Sequence, residues 1–278
     1  ECNPGTATEK TLCAYRAAGV NRLSVGLQSA DDALLARIGR IHDYAAFCRT
    51  AAWAKRAGFE DFNVDVMHGL PGQTAAQYLD TIRRAAESGA THVSAYGLIL
   101  EEGTPLYARR DSLTLPDGDM QADMYLYAVE LLGQNGYAQD EISNFAQPGY
   151  ESRHNLKYWR CEEYLGIGPA AHSFMENRRF YFDRDINAFL TNPFSELERE
   201  EGAGGGAEEF AMLRLRLAEG LDAAELAEKY PGADAEGILR RAALYAPAGL
   251  LTVDGTRIRF TPKGFLLSNS LTAEILYE

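Results

Sequence analysis

Residues 22–28, RLSVGLQ, alternate polar and apolar side chains, a pattern typical of a β-strand with one face against a core. The helical periodicity of the flanking segments predicts one helix over residues 9–18 and another over residues 43–57. Gly19 ends the first helix, and Asp43 is a good N-cap for the second. The segment therefore predicts a strand enclosed by two helices.

The same alternation continues along the chain. Residues 62–67 and 92–98 read as strands, and Thr74 caps a predicted helix that ends near Ser88. A strand, a helix of ten to fifteen residues and another strand are typical of parallel βαβ units. Over roughly residues 7–110 the sequence therefore predicts a parallel α/β structure.

The pattern breaks at residues 200–206, EEGAGGG, which we interpret as a linker or flexible boundary. Helices are predicted at residues 207–218, after Asp222 and at residues 235–245, followed by a hairpin that turns at Asp254-Gly255. Three helices and a hairpin suggest a winged-helix domain. The segment is acidic and has no basic recognition helix, so packing against protein is favoured over DNA binding.

The composition of the chain excludes several classes of function. The net charge of −13 over 278 residues argues against a nucleic-acid binder, and nothing indicates contact with an anionic membrane. No apolar run is long enough for a membrane span, and no signal peptide is recognised. The four cysteines form no CxxC-type cluster and suit reduced thiols in the cytoplasm. Residues 1–6 resemble the end of a strand, so we expect the chain to begin inside a fold.

Polar residues mark the predicted strand ends. Glu1, Gln28 and Asp65 lie at such ends, and Arg40 lies in the loop after the second of these strands. In parallel barrels, working residues occupy this edge. A carboxylate can hold ribose hydroxyls, whereas Gln and Arg can bind a carboxylate or amide. The set suits a small cofactor with a sugar and an amino-acid end, although each residue could also be an ordinary loop hydrogen-bonding group.

The run at residues 148–159, PGYESRHNLKYW, combines a histidine with aromatic rings and cations. These groups suit a flat, metal-centred ligand that bears carboxylates, such as heme. The alternative is a packed, hydrogen-bonded corner. His172 follows an apolar segment and is expected in the core or a pocket wall. His42, His68 and His92 lack ligand-like spacing, so no zinc site is predicted.

Five segments together resemble one family, the oxygen-independent coproporphyrinogen III oxidase-like radical SAM proteins. They are ECNPGT at residues 1–6, GVNRLSVGLQS at 19–29, IGRIH at 38–42, NVDVMHGLPGQ at 63–73 and YLGIG at 164–168. EISNFA at residues 141–146, followed by the run to Trp159, is similar to the heme chaperone branch of that family.

The resemblance implies an α/β fold: an incomplete (β/α)6 radical-SAM partial TIM barrel with a C-terminal helical, winged-helix-like domain. We expect the C-terminal half of the barrel at residues 1–110, a flanking extension with the histidine run at residues 111–200, and the C-terminal domain at residues 201–278.

The resemblance also implies S-adenosylmethionine, a [4Fe-4S] cluster and heme as cofactors. Six residues are expected to contact or line the S-adenosylmethionine pocket: Glu1, Gln28, Arg40, Asp65, Ile99 and His172. His154 would ligate the heme iron, with Tyr158 or Trp159 flanking the porphyrin. Three cations are candidates for the propionates: Arg153, Lys157 and Arg160. The family's C-x3-C-x2-C cluster motif is absent, so the cluster is expected to need a preceding segment.

The leading hypothesis is a heme-binding protein that delivers heme to an acceptor protein. The alternative is an oxygen-independent coproporphyrinogen III oxidase, a dehydrogenase that performs radical decarboxylation when its cluster is present. A regulatory winged-helix protein is disfavoured by the acidity of the chain.

Overall fold

A computed structural model describes residues 1–192 and 194–277, and the side chains of residues 194 and 195 are not described. The chain forms two compact units, Glu1–Glu151 and Ser152–Glu278. The expected division at residues 110 and 200 stays a prediction. Among the described residues, no helix is both long and apolar enough to cross a membrane.

The first unit contains five helices and five strands in its described part. In chain order these are α1 (Glu9–Ala17), β1 (Arg22–Gln28), α2 (Asp32–Arg37), α3 (Tyr44–Arg56), β2 (Asp61–His68), α4 (Ala75–Glu87), β3 (His92–Gly97), α5 (Gly118–Gln134), β4 (Ala138–Gln139) and β5 (Asn144–Ala146). A 3-10 helix, Tyr107–Ser112, lies between β3 and α5. The predicted caps are confirmed: Asp43 caps α3, and Thr74 forms a capping box with Gln77 at the start of α4.

The sheet has the strand order β1-β2-β3-β5-β4. Its first three strands pair in parallel, with Val25 opposite Val64 and Val64 opposite Val93, which confirms the predicted βαβ units. β5 then pairs antiparallel with β3. β1 is the other edge strand, and the described residues add one parallel bridge there, between Cys2 and Val25.

The two faces of this sheet differ in chemistry. Alternate residues of β1, β2 and β3, such as Val25, Val64 and Val93, are fully buried in one core with helix residues that include Phe47 and Ile82. Because successive residues of a strand point to opposite faces, the intervening positions form a second face. That face is polar, and its central members are Ser24, Asn63, Asp65, His92 and Ser94.

The second unit contains eight helices and six strands in its described part. They are α6 (Arg153–Trp159), β6 (His172–Met175), β7 (Arg178–Phe182), α7 (Ile186–Thr191), α8 (Phe194–Leu197), β8 (Glu198–Ala203), α9 (Ala207–Arg214), β9 (Leu221–Asp222), α10 (Ala223–Lys229), α11 (Ala235–Ala243), β10 (Leu251–Asp254), β11 (Arg257–Phe260), α12 (Pro262–Phe265) and α13 (Ser268–Tyr277). A short 3-10 helix occupies Ala246–Ala248.

The prediction of a flexible linker at residues 200–206 is wrong for its first half. β8 pairs antiparallel with β7, and β7 pairs with β6. The acidic residues of β8 face an arginine-bearing strand, and Arg178 and Glu198 form an ion pair of 2.7 Å. Opposite charges on neighbouring strands stabilise a pairing that the sequence of β8 alone disfavours.

The C-terminal part of the unit confirms the winged-helix-like prediction. Helices α9 to α11 precede a hairpin of β10 and β11. Its two-residue turn is Gly255-Thr256, one position later than predicted, because Asp254 still pairs with Arg257, and Gly255 has a φ of +58°. β9 adds a third strand to the hairpin. Asp222 caps α10, as predicted.

Candidate functional site

The end of β1 places Gln28 on the polar face of the sheet. Gly26 pairs with Asp65 whereas Gln28 pairs with Val66, so the register shifts at a bulge. Gln28 is buried and has a φ of +65°. A Cβ at Gly26 would lie 2.8 Å from Gln28 Nε2, so the glycine leaves room for the amide.

Asp65 is held by two donors on the same face. The Ser24 hydroxyl donates to its Oδ2 at 3.0 Å, and Asn63 Nδ2 donates to its Oδ1 at 2.8 Å. Burial nevertheless raises the pKa of Asp65, and the nearby Glu1 carboxylate adds to the rise. A ligand that donates further hydrogen bonds, such as a pair of sugar hydroxyls, would favour the ionised carboxylate.

The network continues deeper into the polar face. Asn63 Oδ1 accepts a hydrogen bond from Ser94 at 3.2 Å and lies 2.5 Å from His92 Nδ1. His92 is completely buried, and burial beside Arg22 lowers its pKa to about 3. His92 is therefore neutral at physiological pH. Its contact with Asn63 helps to position Asn63, which in turn donates to Asp65.

The Tyr96 hydroxyl contacts one predicted residue, Gln28, and is influenced by the charges of three others. This hydroxyl donates to Gln28 Oε1 at 3.1 Å. Burial raises the pKa of Tyr96, the charges of Asp65 and Glu1 raise it further, and the charge of Arg40 opposes them. The structure thus brings Glu1, Gln28, Arg40 and Asp65 to the carboxyl edge of the parallel sheet, although their contact with a ligand stays a prediction.

Arg40 joins this edge to the first residues of the chain. Its Nη1 donates to Asn3 Oδ1 at 2.8 Å, and the Thr6 hydroxyl donates to Asn3 O at 2.7 Å. A cavity of about 400 Å³ adjoins Arg40 and is also lined by Pro4 and His42. Gln28, Asp65 and Tyr96 do not line this cavity, so it is separate from the network at Tyr96.

The remaining two predicted pocket residues lie outside this network. Ile99 follows β3 and is 77% exposed. His172 lies in the second unit, where its side chain is 53% exposed and its Nδ1 is 3.0 Å from Glu201. The expected core placement of His172 is therefore wrong, because the contact with Glu201 and the stacked ring of Tyr181 hold it at the surface. Its expected place in a pocket wall stays a prediction.

Sequence reasoning missed the residues that support the edge: Asn3, Ser24, Asn63, His92 and Tyr96. In the strands, these residues could have been recognised because polar and apolar positions alternate, and the polar positions form a face that does not join the apolar core. The sequence shows this half of the pattern in all three strands, but only the register shows which polar side chains meet.

The described residues do not fit an iron–sulfur cluster. All four cysteines are free, and Cys161 lies in the second unit while the others lie in the first. No group of three or more His, Cys, Asp or Glu side chains in the described part of the chain could hold a metal ion. The set at Tyr96, in contrast, has the donors and acceptors that a polar cofactor needs.

His154 forms a second candidate site, on the short helix α6. Ser152 caps this helix, and His154 is exposed in its first turn. Its Nε2 lies 2.6 Å from the Tyr158 hydroxyl, and the two rings meet edge to face at 4.9 Å. The residues are four positions apart, so one helical turn brings them together.

Tyr158 continues into an aromatic row. Its ring meets that of Tyr164 at 4.5 Å, almost perpendicular, and Tyr164 packs against Phe174 at 6.5 Å. Arg179 donates to the Tyr164 hydroxyl at 3.1 Å and forms an ion pair of 2.6 Å with Glu209. Tyr158 therefore contacts two rings, that of His154 and that of Tyr164.

Trp159 does not extend this row, and its expected place beside a porphyrin stays a prediction. Its ring lies beneath the Arg216 guanidinium at 4.6 Å, and its buried Nε1 has no hydrogen-bond partner among the described residues. Consecutive helix residues point about 100° apart, so Trp159 leaves the side on which Tyr158 contacts His154.

The three cations differ in their availability. Lys157 forms an ion pair with Glu162 at 3.1 Å, and Arg160 forms one with Glu219 at 3.2 Å. Arg153 is exposed and makes no ion pair within the described ranges. An exposed imidazole, an adjacent aromatic ring and an available guanidinium fit the iron and a propionate of heme.

Comparison with known proteins places both units in one family. Residues 1–85 match the radical SAM superfamily, and residues 206–267 match the HemN C-terminal domain. Two relatives, both named heme chaperone HemW, match the whole chain. The one from Lactococcus lactis is 34% identical over 283 residues, 75% of its length, and the one from Escherichia coli is 38% identical over 284 residues, 74% of its length.

The fold is similar to that of coproporphyrinogen III oxidase (HemN) from Escherichia coli, described as a radical SAM enzyme. The match has a TM-score of 0.78 and 21% identity, and it covers 99% of this chain and 68% of the other. It confirms the predicted fold class. The chain belongs to the HemW family of heme chaperones within the radical SAM superfamily.

Proposed function

We propose that this protein binds heme through His154 and delivers it to an acceptor protein. The observation that carries the proposal is the exposed His154 imidazole on α6, with Tyr158 one turn away and Arg153 without an ion pair in the described chain. The similarity to relatives named heme chaperone, which extends over the whole chain, supports the same function.

The residues present can supply what a transient heme site needs. A neutral imidazole is a good iron ligand, and a guanidinium can bind a propionate with two hydrogen bonds. Because His154 is at the surface, the porphyrin would remain accessible to a partner. The four free cysteines suit a reducing compartment, so we place this delivery in the cytoplasm.

S-adenosylmethionine is the second proposed ligand, at the edge around Tyr96. The radical SAM superfamily implies S-adenosylmethionine and a [4Fe-4S] cluster. Asp65 could accept hydrogen bonds from the ribose, while Gln28 and Arg40 could bind the amino-acid end. The described residues do not fit the cluster, and we derive no step through it.

The oxidase alternative has weaker support. The resemblance to coproporphyrinogen III oxidase is at 21% identity and extends to the fold, whereas the relatives at 34% and 38% identity carry the name heme chaperone. We therefore propose heme transfer alone.

A heme titration of the intact chain tests the proposal. We expect His154→Ala to lose the Soret change and to bind hemin at least about tenfold more weakly. His172→Ala is the matched control, because His172 is also exposed and also contacts a tyrosine ring. Equal hemin affinity in the native chain and His154→Ala would reject His154 as the ligand.

A further inference from the structure

The hydroxyl of Tyr158 contacts Nε2 of His154, the nitrogen expected to bind the heme iron. The Tyr158 oxygen is 2.6 Å from His154 Nε2, a short and direct hydrogen bond between side chains one helical turn apart. A phenol is ordinarily protonated at neutral pH, and an imidazole nitrogen is a good acceptor. The chemistry therefore favours Tyr158 as the donor and Nε2 as the acceptor.

This direction of donation blocks both nitrogens of the imidazole. The lone pair of Nε2 is engaged by the hydroxyl, and in the corresponding neutral tautomer Nδ1 carries the proton. Neither nitrogen then offers a free lone pair to iron. Coordination requires that the hydrogen bond between Tyr158 and His154 opens first.

The position of Tyr158 is built into the surrounding structure. Tyr164 packs edge to face on the Tyr158 ring at 4.5 Å, and Arg179 holds the Tyr164 hydroxyl. Arg179 is itself fixed by Glu209 at 2.6 Å. A series of contacts from the segment at Tyr164 through β7 to α9 thus packs against the Tyr158 ring, which supports the position of its hydroxyl at His154.

We propose that Tyr158 is a positioning residue that caps His154 Nε2 and thereby weakens the hold of the protein on heme iron. The proposal rests on the proposed heme function of His154. When iron binds, an iron–nitrogen bond forms, the hydroxyl–imidazole hydrogen bond breaks, and the phenol keeps its proton. When heme leaves, the cap re-forms, so the tyrosine favours release to an acceptor.

Removal of one oxygen atom tests the cap. Tyr158→Phe keeps the ring and loses the hydroxyl, so we expect hemin affinity to rise about twofold to tenfold. The rate of hemin transfer to excess apomyoglobin should fall by a similar factor. Tyr230→Phe is the control, because it also loses a hydroxyl in the second unit, one that donates to Gly205 O. Unchanged or weaker affinity in Tyr158→Phe would overturn the proposal.

A second measurement uses the protein without heme. Long-range proton–nitrogen NMR at pH 8 reports which His154 nitrogen carries the proton. We expect the Nδ1–H tautomer in the native chain and a shift toward the Nε2–H tautomer in Tyr158→Phe. A native Nε2–H tautomer would show that the histidine donates, which leaves Nδ1 free and rejects the cap.

The two proposals fail in different ways. If His154→Ala binds hemin as the native chain does, the heme assignment of His154 fails, while the NMR experiment still decides whether the cap exists. If His154→Ala loses binding and Tyr158→Phe does not gain it, the assignment of His154 stands and the cap is rejected.

Discussion

The two candidate sites are assembled in opposite ways. The one around Tyr96 combines side chains from three parallel strands, the chain start and the loop after α2, and it lies on the polar face of a sheet. The one at His154 consists of three residues of a seven-residue helix, of which Arg153 and His154 are exposed and Tyr158 is partly buried. The first therefore depends on the register of the whole sheet, whereas the second depends on one helical turn.

The difference determines what each site can do. A network of fixed donors and acceptors discriminates a polar ligand, because each buried group that lacks its partner costs free energy. An exposed imidazole binds a metal centre without enclosing it, which suits a ligand that must be passed on. This contrast predicts that core changes affect the first site most strongly.

The largest expected effect follows from the apolar core behind the sheet. Phe47 on α3 is 1% exposed and packs in the same core as Val25 and Val64. Phe47→Ala should lower the free energy of unfolding of the first unit by about 3–5 kcal/mol, because it leaves a cavity. Urea unfolding followed by Trp53 fluorescence, in a Trp159→Phe background, reports this unit.

Ile41→Ala provides the comparison, because Ile41 is 94% exposed. Its effect should stay within about 0.5 kcal/mol. A loss in Phe47→Ala no larger than that in Ile41→Ala would mean that this core does not stabilise the sheet on which the Tyr96 site is built.

The sequence predicted what local patterns determine. Alternation gave the three parallel strands, and Asp43, Thr74 and Asp222 were recognised as caps because N-capping involves residues only two or three positions apart. The strand-end rule located Gln28, which ends β1, whereas Asp65 lies three residues before the end of β2.

Other features depend on partners distant in the chain. Tyr96 reaches Gln28 across 68 positions, and Asn63 reaches His92 across 29, so no local pattern indicates either contact. The sequence does not show that residues 198–203 form the strand β8, because the partners of its acidic residues, such as Arg178 on β7 and His172 on β6, are distant in the chain. Trp159 follows Tyr158 directly, yet proximity in the sequence does not show that its ring lies beneath Arg216 and not beside His154.

An effect of intermediate size is expected on ligand affinity when Arg40 at the Tyr96 site is replaced. Arg40→Ala removes a guanidinium that would bind the carboxylate of S-adenosylmethionine, and it also releases Asn3. Affinity for S-adenosylmethionine should fall by about 1.5–3 kcal/mol, the typical value of a hydrogen bond to a charged group. Isothermal titration calorimetry measures the difference.

Arg56→Ala is the matched control for Arg40→Ala. Arg56 lies on the outer surface in an exposed ion pair with Glu9, and its removal should leave the affinity unchanged. If both variants bind S-adenosylmethionine like the native chain, Arg40 has no part in the site. The contrast between the network at Tyr96 and the local site at His154 would then lack its evidence at Tyr96.

The smallest expected effect concerns pH and the far end of the same polar face. Asp140 N donates to Asn144 O, and Asn144 pairs with Ser94 in the neighbouring strand. Ser94 in turn pairs with Asp65, so Asp140 lies in the same row across the sheet as this site residue. Burial raises the pKa of Asp140 to about 7, and the nearby Glu141 and Glu151 contribute, while Arg22 opposes them. Its buried Oδ1 has no hydrogen-bond partner among the described residues.

The sign of the pH dependence follows from the raised pKa. The folded state holds the Asp140 proton more tightly than the unfolded state, whose carboxyl has an ordinary pKa near 4. The stability that this proton confers is complete below about pH 4 and is lost as the pH rises through about 7. Asp140→Asn mimics the neutral form, so it should stabilise the first unit at pH 8 by on the order of 1–2 kcal/mol, after allowance for partial exposure.

Urea unfolding of the native chain and Asp140→Asn at several pH values between 5 and 8 tests this sign. The difference should shrink steadily toward pH 5, where the native carboxyl is largely protonated in the folded state. Asp123→Asn, on the exposed side of α5, controls for the loss of one negative charge. If Asp140→Asn instead lowers stability at pH 8, the ionised carboxylate has a favourable partner there. The unfavourable burial of a charged Asp140 carboxylate would then be absent, and the polar face would be a balanced network along its whole length.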